Sequence, residues 1–245
     1  ETNHYQIQSL PINSGVFCLK KDRFQDVVWI GTDGQGVYLY SNPLYSIKSM
    51  VLSNYTEKIE RPVRAIYLDD ERTFWVGTKG NGILKIYDYE FDKNISDCRA
   101  EVLTTSNSAL SSNAVYCFAK SHRNLLWIGD EEGLTYYSYR EKRIKSIPIR
   151  IGNEDFKYIH DIYETADSEL WLASVGMGVV KARIAGTPDN PVIVDAQRYI
   201  INDGELGSNY FFTIYAENEA NLLFGNKGYG VFRYNETTNG LEPVS

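Results

Sequence analysis

The groups best suited to chemistry in this sequence are carboxylates in glycine-rich or polar turns: Asp33, Asp130, Glu131 and Asp161. Two carboxylates held at a set separation across a glycosidic bond make a hydrolase site. The sequence does not show any two of these four converging, and each also reads as a solvated turn residue. A metal site needs clustered ligands, and His4, His122 and His160 are scattered. No metal and no cofactor are therefore expected. Gly31-Thr-Asp-Gly-Gln-Gly36 has the glycines of a phosphate loop. Such a loop must open a helix whose N-terminus holds the anion, whereas this one leads into the strand-like Val37-Tyr-Leu-Tyr40.

Aromatic and cationic groups offer a different chemistry, ligand recognition. Tyrosine occurs 19 times, mostly in strand-like runs where it packs. Tyr158, Tyr210 and Tyr229 sit at strand entries or glycine turns, where a ring can stack on a ligand. Cys18 and Cys117 hold equivalent places in two repeats and read as small buried residues, with Cys98 in a loop. Three N-x-S/T sequons, at Asn54, Asn94 and Asn235, are about the number chance yields here and carry no glycosylation argument.

The elements that position these groups follow from a repeat. Trp29-Ile-Gly-Thr-Asp-Gly-Gln-Gly, Trp75-Val-Gly-Thr-Lys-Gly-Asn-Gly, Trp127-Ile-Gly-Asp-Glu-Glu-Gly, Trp171-Leu-Ala-Ser-Val-Gly-Met-Gly and Leu223-Phe-Gly-Asn-Lys-Gly-Tyr-Gly recur at steps of 46, 52, 44 and 52 residues. An apolar run precedes each copy, a polar turn joins the two, and an aromatic strand follows the glycines. Repeats of this length, made of short strands and turns, signal propeller blades. The expected fold is all-β, a β-propeller of four-stranded antiparallel blades. Five repeats fall near 14–60, 61–112, 113–156, 157–207 and 208–245, with 1–13 as outer strand and lead-in to a single unit, 1–245. Inner strands are expected at 16–20, 63–68, 115–119, 159–163 and 211–215. Trp29, Trp75, Trp127 and Trp171 are expected to fill the gaps between blades. The small residue two places on lets a neighbour approach closely. The fifth repeat shows three strands up to Tyr234 and then a short tail. Tyr5–Leu10 alternates in part and reads as an outer strand.

Composition bounds the partners. The chain has 245 residues, 25 Lys+Arg against 32 Asp+Glu, and a net charge of −7. Nucleic acid is not an expected partner, because binding it rests on cationic contacts to phosphates. A heavily sulfated ligand is not favoured either, short of a local basic pocket. No apolar run is long enough to span a membrane. The first residues lack the basic start and apolar stretch of a signal peptide, so a mature segment or an excised domain is expected.

Leu110-Ser-Ser-Asn-Ala-Val115 with Leu126-Trp-Ile-Gly129, and Arg61-Pro-Val-Arg-Ala-Ile66 through Phe74-Trp-Val-Gly-Thr-Lys-Gly-Asn-Gly82, resemble the propeller repeats in the sensor region of bacterial hybrid two-component systems. The resemblance covers essentially the whole chain. It implies a non-catalytic, periplasmic ligand-sensing domain of an inner-membrane histidine kinase that recognises glycans or oligosaccharide breakdown products. It also implies a homodimer when full length, other propeller and transmembrane-linked domains as partners, and seven blades per ring, of which five are present. Two other readings stay open: a protein-interaction or spacer propeller, and a propeller glycosidase or lyase. Thr165-Ala-Asp-Ser-Glu-Leu-Trp171 resembles the hairpin turns of sialidases, but Arg61 and Arg64 have no evident third arginine.

The second residues of the five inner strands are Phe17, Arg64, Tyr116, His160 and Phe212. They are expected to form a partial ring of aromatic and hydrogen-bonding groups at one end of the channel. Asp33, Lys79, Asn81 and Tyr158 are expected on its rim. Aromatic faces suit sugar CH surfaces, and Arg64 has donors for hydroxyls or a uronate.

Overall fold

The structure is a computed structural model, and it describes residues 9–41, 46–50, 59–90, 98–202 and 207–244. Five four-stranded antiparallel sheets follow one another along the chain. Blade one comprises β1 (Val16–Lys21), β2 (Val27–Thr32), β3 (Val37–Ser41) and β4 (Ser46–Met50). Blade two comprises β5 (Val63–Leu68), β6 (Phe74–Thr78), β7 (Ile83–Ile86) and β8 (Ala100–Leu103). Blade three comprises β9 (Val115–Lys120), β10 (Leu125–Asp130), β11 (Leu134–Ser138) and β12 (Arg143–Ile147). A two-stranded ribbon, β13 (Arg150–Ile151) and β14 (Glu154–Asp155), leads to blade four. That blade comprises β15 (Ile159–Glu164), β16 (Glu169–Ser174), β17 (Gly178–Thr187) and β18 (Asn190–Tyr199). Blade five comprises β19 (Phe211–Asn218), β20 (Asn221–Asn226), β21 (Gly230–Asn235) and β22 (Gly240–Pro243). Among the described residues there is no helix.

Each inner strand starts where the apolar run predicts; β5 also ends there, and the other four extend one to three residues further. The short tail after Tyr234 supplies the fourth strand of blade five. Gly240–Pro243 turns back through Asn239, at φ 49°, and pairs with β21. Asn tolerates that left-handed turn better than most residues, so blade five completes itself. The Tyr5–Leu10 strand falls largely outside the described residues.

The repeat signature explains how blades pack. The indole of Trp29 lies 4.5 Å from Phe74 of blade two, that of Trp75 4.8 Å from Tyr137 of blade three, and that of Trp171 4.7 Å from Tyr234 of blade five. All four tryptophans are buried. A buried indole N–H needs an acceptor, and three find a carboxylate. Trp29 donates to Asp22 and Trp75 to Asp69, both in the turn of the same blade; Trp127 donates across the seam to Glu164 of blade four. The signature glycines make room for the inner strands. A Cβ at Gly129 would stand 2.5 Å from Cys117 Sγ and 2.6 Å from the carbonyl oxygen of Ile159 in the next blade. All three cysteines are free thiols, and Cys18 and Cys117 lie in blades one and three.

A second device ties the seams. The N–H groups of Gly80 and Gly82 both donate to the Asn113 carbonyl, and those of Gly176 and Gly178 both donate to the Asn209 carbonyl. Gly82 has φ 77°, and a Cβ there would fall 2.1 Å from the Leu103 carbonyl oxygen, so only glycine fits this turn. The asparagine side chains finish the joint, Asn113 accepting from Thr105 N and Asn209 from Ile201 N.

The inner strands β1, β5, β9, β15 and β19 pack one on the next in that order. Among the described residues, β19 does not pack on β1 in the same way. Side chains on the two outermost inner strands are correspondingly open, with Leu19 65% and Tyr215 63% exposed.

Candidate functional site

The site begins as a defect in each sheet. In all five blades the ladder between the inner strand and its neighbour skips one residue. Val16 and Cys18 pair with Thr32 and Gly31, passing over Phe17; Val63 and Ala65 pass over Arg64 in the same way. Val115 and Cys117 pass over Tyr116, Ile159 and Asp161 over His160, and Phe211 and Thr213 over Phe212. A bulge leaves its extra residue unpaired and re-aims the side chain. Five bulges at one level thus collect the five expected residues.

They meet in two groups, Phe17 with Arg64, and Tyr116 with His160 and Phe212. The Arg64 guanidinium carbon lies 3.7 Å from the Phe17 ring centroid. Tyr116 and His160 stack at 4.2 Å, and Phe212 meets His160 edge-on at 5.3 Å. Phe17 and Phe212 at the two ends are 40% and 44% exposed, so flat rings remain open to a ligand. Arg64 is half-buried, and its Nε has no hydrogen-bond partner among the described residues. A buried donor without an acceptor is costly, and a ligand oxygen would relieve it.

Electrostatics sharpen the picture. Burial pushes the His160 imidazole down to about 4, and the Arg64 charge adds to the effect. His160 is therefore neutral at pH 7, a stacking surface with one donor and one acceptor. Burial raises the Tyr116 phenol, with Glu131 pushing the same way and Arg64 opposing. Arg64 is the one full positive charge within the five-residue series.

The rim residues divide. Lys79 and Asp33 are exposed, their backbone N–H groups tied to Pro62 and Gly15 carbonyls. Tyr158 is 42% exposed and sits at φ 55°, held by a bond from its N–H to the Glu131 carbonyl. Asn81 is engaged in the fold instead, its side-chain oxygen accepting from Glu60 N and Arg61 N.

Two of the carboxylates, Asp161 and Asp130, serve the scaffold. Asp161 accepts from Ile214 N and Thr213 Oγ1 of blade five, tying blades four and five, and burial raises its pKa. Asp130 is buried and accepts from Ser111, Glu132 N and Gly133 N; burial lifts it to about 6. No group of three or more His, Cys, Asp or Glu among the described residues is arranged to hold a metal.

Two features escaped sequence reasoning. One is the bulge itself, since an extra residue leaves no mark in a strand's composition. The other is Lys85, buried among the rings of Trp75, Tyr87 and Tyr137 at 4.4–4.6 Å. Its position directly opposite Trp75 was the available signal.

The fold is a five-blade β-propeller whose inner-strand bulges hold four aromatic side chains and one arginine. No family model matches the chain. Translation initiation factor 6 of Saccharolobus solfataricus is 31% identical over 140 residues, 52% of this chain and 57% of that protein. Among solved structures, the extracellular domain of a proposed hybrid two-component system from B. thetaiotaomicron superposes with TM-score 0.70 at 21% identity, over 98% of this chain and 30% of that one. The extracellular domain of a proposed one-component system from the same organism gives 0.62 at 14%, over 98% and 44%. Virginiamycin B lyase from Staphylococcus aureus gives 0.68 at 16%, over 96% and 72%. The chain spans less than two thirds of the curated relative and less than half of the two extracellular domains.

Proposed function

We propose that this chain is a ligand-sensing, extracytoplasmic segment of a hybrid two-component sensor histidine kinase. It recognises an oligosaccharide released by polysaccharide breakdown and lies in the periplasm, joined to further propeller and transmembrane-linked domains and dimeric at full length. The observation that carries the reading is the repeated bulge, at which Phe17, Arg64, Tyr116, His160 and Phe212 occupy equivalent places on the five inner strands. Sugars offer CH faces to rings and hydroxyls to donors, which matches this mixture. Phe17 and Phe212 bind the apolar faces, Arg64 Nε satisfies itself on a ligand oxygen, and neutral His160 and Tyr116 read hydroxyl groups. Lys79, Asp33 and Tyr158 extend the contact at the rim. The likeness to extracellular domains of two-component systems supports the sensor class.

The segment is non-catalytic in this reading, because its buried acids are spent on backbone N–H groups. The five blades belong to a larger, seven-bladed ring. Exposed Leu19 and Tyr215 on the outermost inner strands support that arrangement. They also favour a second reading, in which those faces dock another protein and the propeller is a spacer.

The test is a binding screen of the intact sensor region against defined oligosaccharides. Arg64→Ala and Tyr116→Ala should each weaken the best ligand at least tenfold, about 1.4 kcal/mol, with thermal stability unchanged. Unchanged affinity in both variants removes this surface from consideration. Consumption of the ligand during incubation would instead point to a lyase or glycosidase.

A further inference from the structure

A cleft of about 670 Å³ lies between blades two and three, away from the bulge residues. Its walls come from the β8 side and from β12 with the turn before it, and Tyr137 forms part of its lining. The volume is within the ordinary range for small-ligand sites. We propose that this cleft binds a saccharide-sized ligand through an oxyanion, a carboxylate or a sulfate ester. The proposal does not rest on the bulge surface.

Charge is the first argument. The chain as a whole is acidic, at −7, yet Lys142, Arg143 and Lys145 line one wall. Arg143 and Lys145 share a single carboxylate, Glu141. Lys142 stands in the turn at φ 52° and has no ionic or hydrogen-bonding partner among the described residues. That wall therefore carries two positive charges more than its own acids neutralise.

The opposite wall cannot supply the missing negative charge. Its Glu101 accepts from the Tyr87 hydroxyl and lies 3.2 Å from the buried Lys85 ammonium, which hold its carboxyl below the usual range against the effect of burial. Lys85 also donates to the hydroxyls of Tyr87 at 2.9 Å and Tyr137 at 3.2 Å. Its three donors are thus spent, and Glu101 is paired inside the wall.

A directed donor is the second argument. Tyr137 is buried at 6% exposure, and its hydroxyl oxygen accepts from Lys85. Its own proton meets no acceptor among the described residues. Because Tyr137 lines the cleft, a ligand oxygen there receives that proton as a hydrogen bond. Burial pushes the Tyr137 phenol up to about 12, so it stays protonated and remains a donor at neutral pH. Charge-assisted bonds of this kind are the strong ones. Ser146 supplies a side chain for a sugar hydroxyl, while Leu103 and Ile144 supply an apolar surface.

The experiment is amide-resolved NMR of this chain titrated with digalacturonate, a sulfated disaccharide and neutral maltose. Saturable shifts at 107–109 and 142–146 with digalacturonate alone identify a carboxylate ligand. The same shifts with the sulfated sugar alone identify a sulfate ester, and shifts with both identify the shared oxyanion. The double variant Lys142→Ala, Arg143→Ala should weaken the effective probe at least tenfold. Tyr137→Phe, which keeps the ring against Trp75, should weaken it several-fold. Added salt should lower affinity as expected for partly exposed charges. Equal binding of maltose, no shifts with any probe, or shifts confined to Phe17, Arg64, Tyr116, His160 and Phe212 would overturn the proposal. The last of these would leave the bulge-surface reading standing.

Discussion

Gly129→Ala is the most informative single perturbation of the blade seam. The added Cβ would stand 2.5 Å from Cys117 Sγ, 2.6 Å from the Ile159 carbonyl oxygen and 2.9 Å from Ile159 Cγ2. Carbon tolerates none of these distances. Sγ can swing away, but the Ile159 carbonyl belongs to the first residue of the next inner strand and moves only with blade four. Overpacking of this kind costs about 1–3 kcal/mol. For a chain of this size that corresponds to roughly 2–12 °C in melting temperature. Gly34→Ala is the control: its φ is 88°, with nothing within 4 Å of a Cβ, so it tests backbone strain alone, about 1 kcal/mol. The third variant, Gly129→Ala with Cys117→Ala, relieves the sulfur contact and leaves the carbonyl contact. It should recover part of the loss caused by Gly129→Ala when each is compared with its own Cys117 background. Urea denaturation of five proteins, the parent, these three variants and Cys117→Ala alone, measures this directly. Gly129→Ala as stable as the parent, or no recovery on removing the sulfur, would refute the packing argument.

Other outcomes follow from the same geometry. Alanine at Trp29, Trp75, Trp127 or Trp171 should cost roughly 3–5 kcal/mol through lost burial and a cavity; loss of ligand binding with unchanged thermal stability would make these site residues instead. Trp127→Phe keeps most of the ring but removes the indole donor 2.7 Å from buried Glu164, leaving its Oε2 with His122 N alone; a loss of about 1–3 kcal/mol is expected in chemical denaturation. His160 has a folded pKa of about 4, below its ordinary 6.5. The unfolded chain therefore binds more protons between these values, and the His160 contribution to stability falls as pH drops through that window. Asp130, raised to about 6, acts in the opposite direction, so the readout is the difference between the parent and His160→Gln across pH 4–6.5. A difference independent of pH would contradict the assignment. Asp161→Ala should loosen blade five, because it frees Ile214 N and Thr213; hydrogen exchange of β19 should accelerate, and unchanged protection would argue against the tie.

The blade architecture was legible along the chain because its causes are local. Alternating apolar runs, a polar turn and a glycine pair at fixed offsets specify antiparallel strands whatever surrounds them, and Trp-x-Gly marks where neighbours must meet. The same offsets lined up Phe17, Arg64, Tyr116, His160 and Phe212 as equivalent positions before any coordinates were known. What a linear pattern could not carry was the bulge, which depends on how two strands slip past each other. Nor could it carry the completion of blade five by Gly240–Pro243, a short segment that acquires its conformation by pairing with β21. The tertiary structure alone decided that Asp161 and Glu164 serve neighbouring blades, since their partners lie 53 and 37 residues away. It decided as well that Asn81 holds the backbone of Glu60 and Arg61, and that Lys85 is surrounded by rings from two blades. Strand formation is set by neighbours in sequence, whereas the partner of a polar group and the burial of a charge are set by whichever blade packs against it.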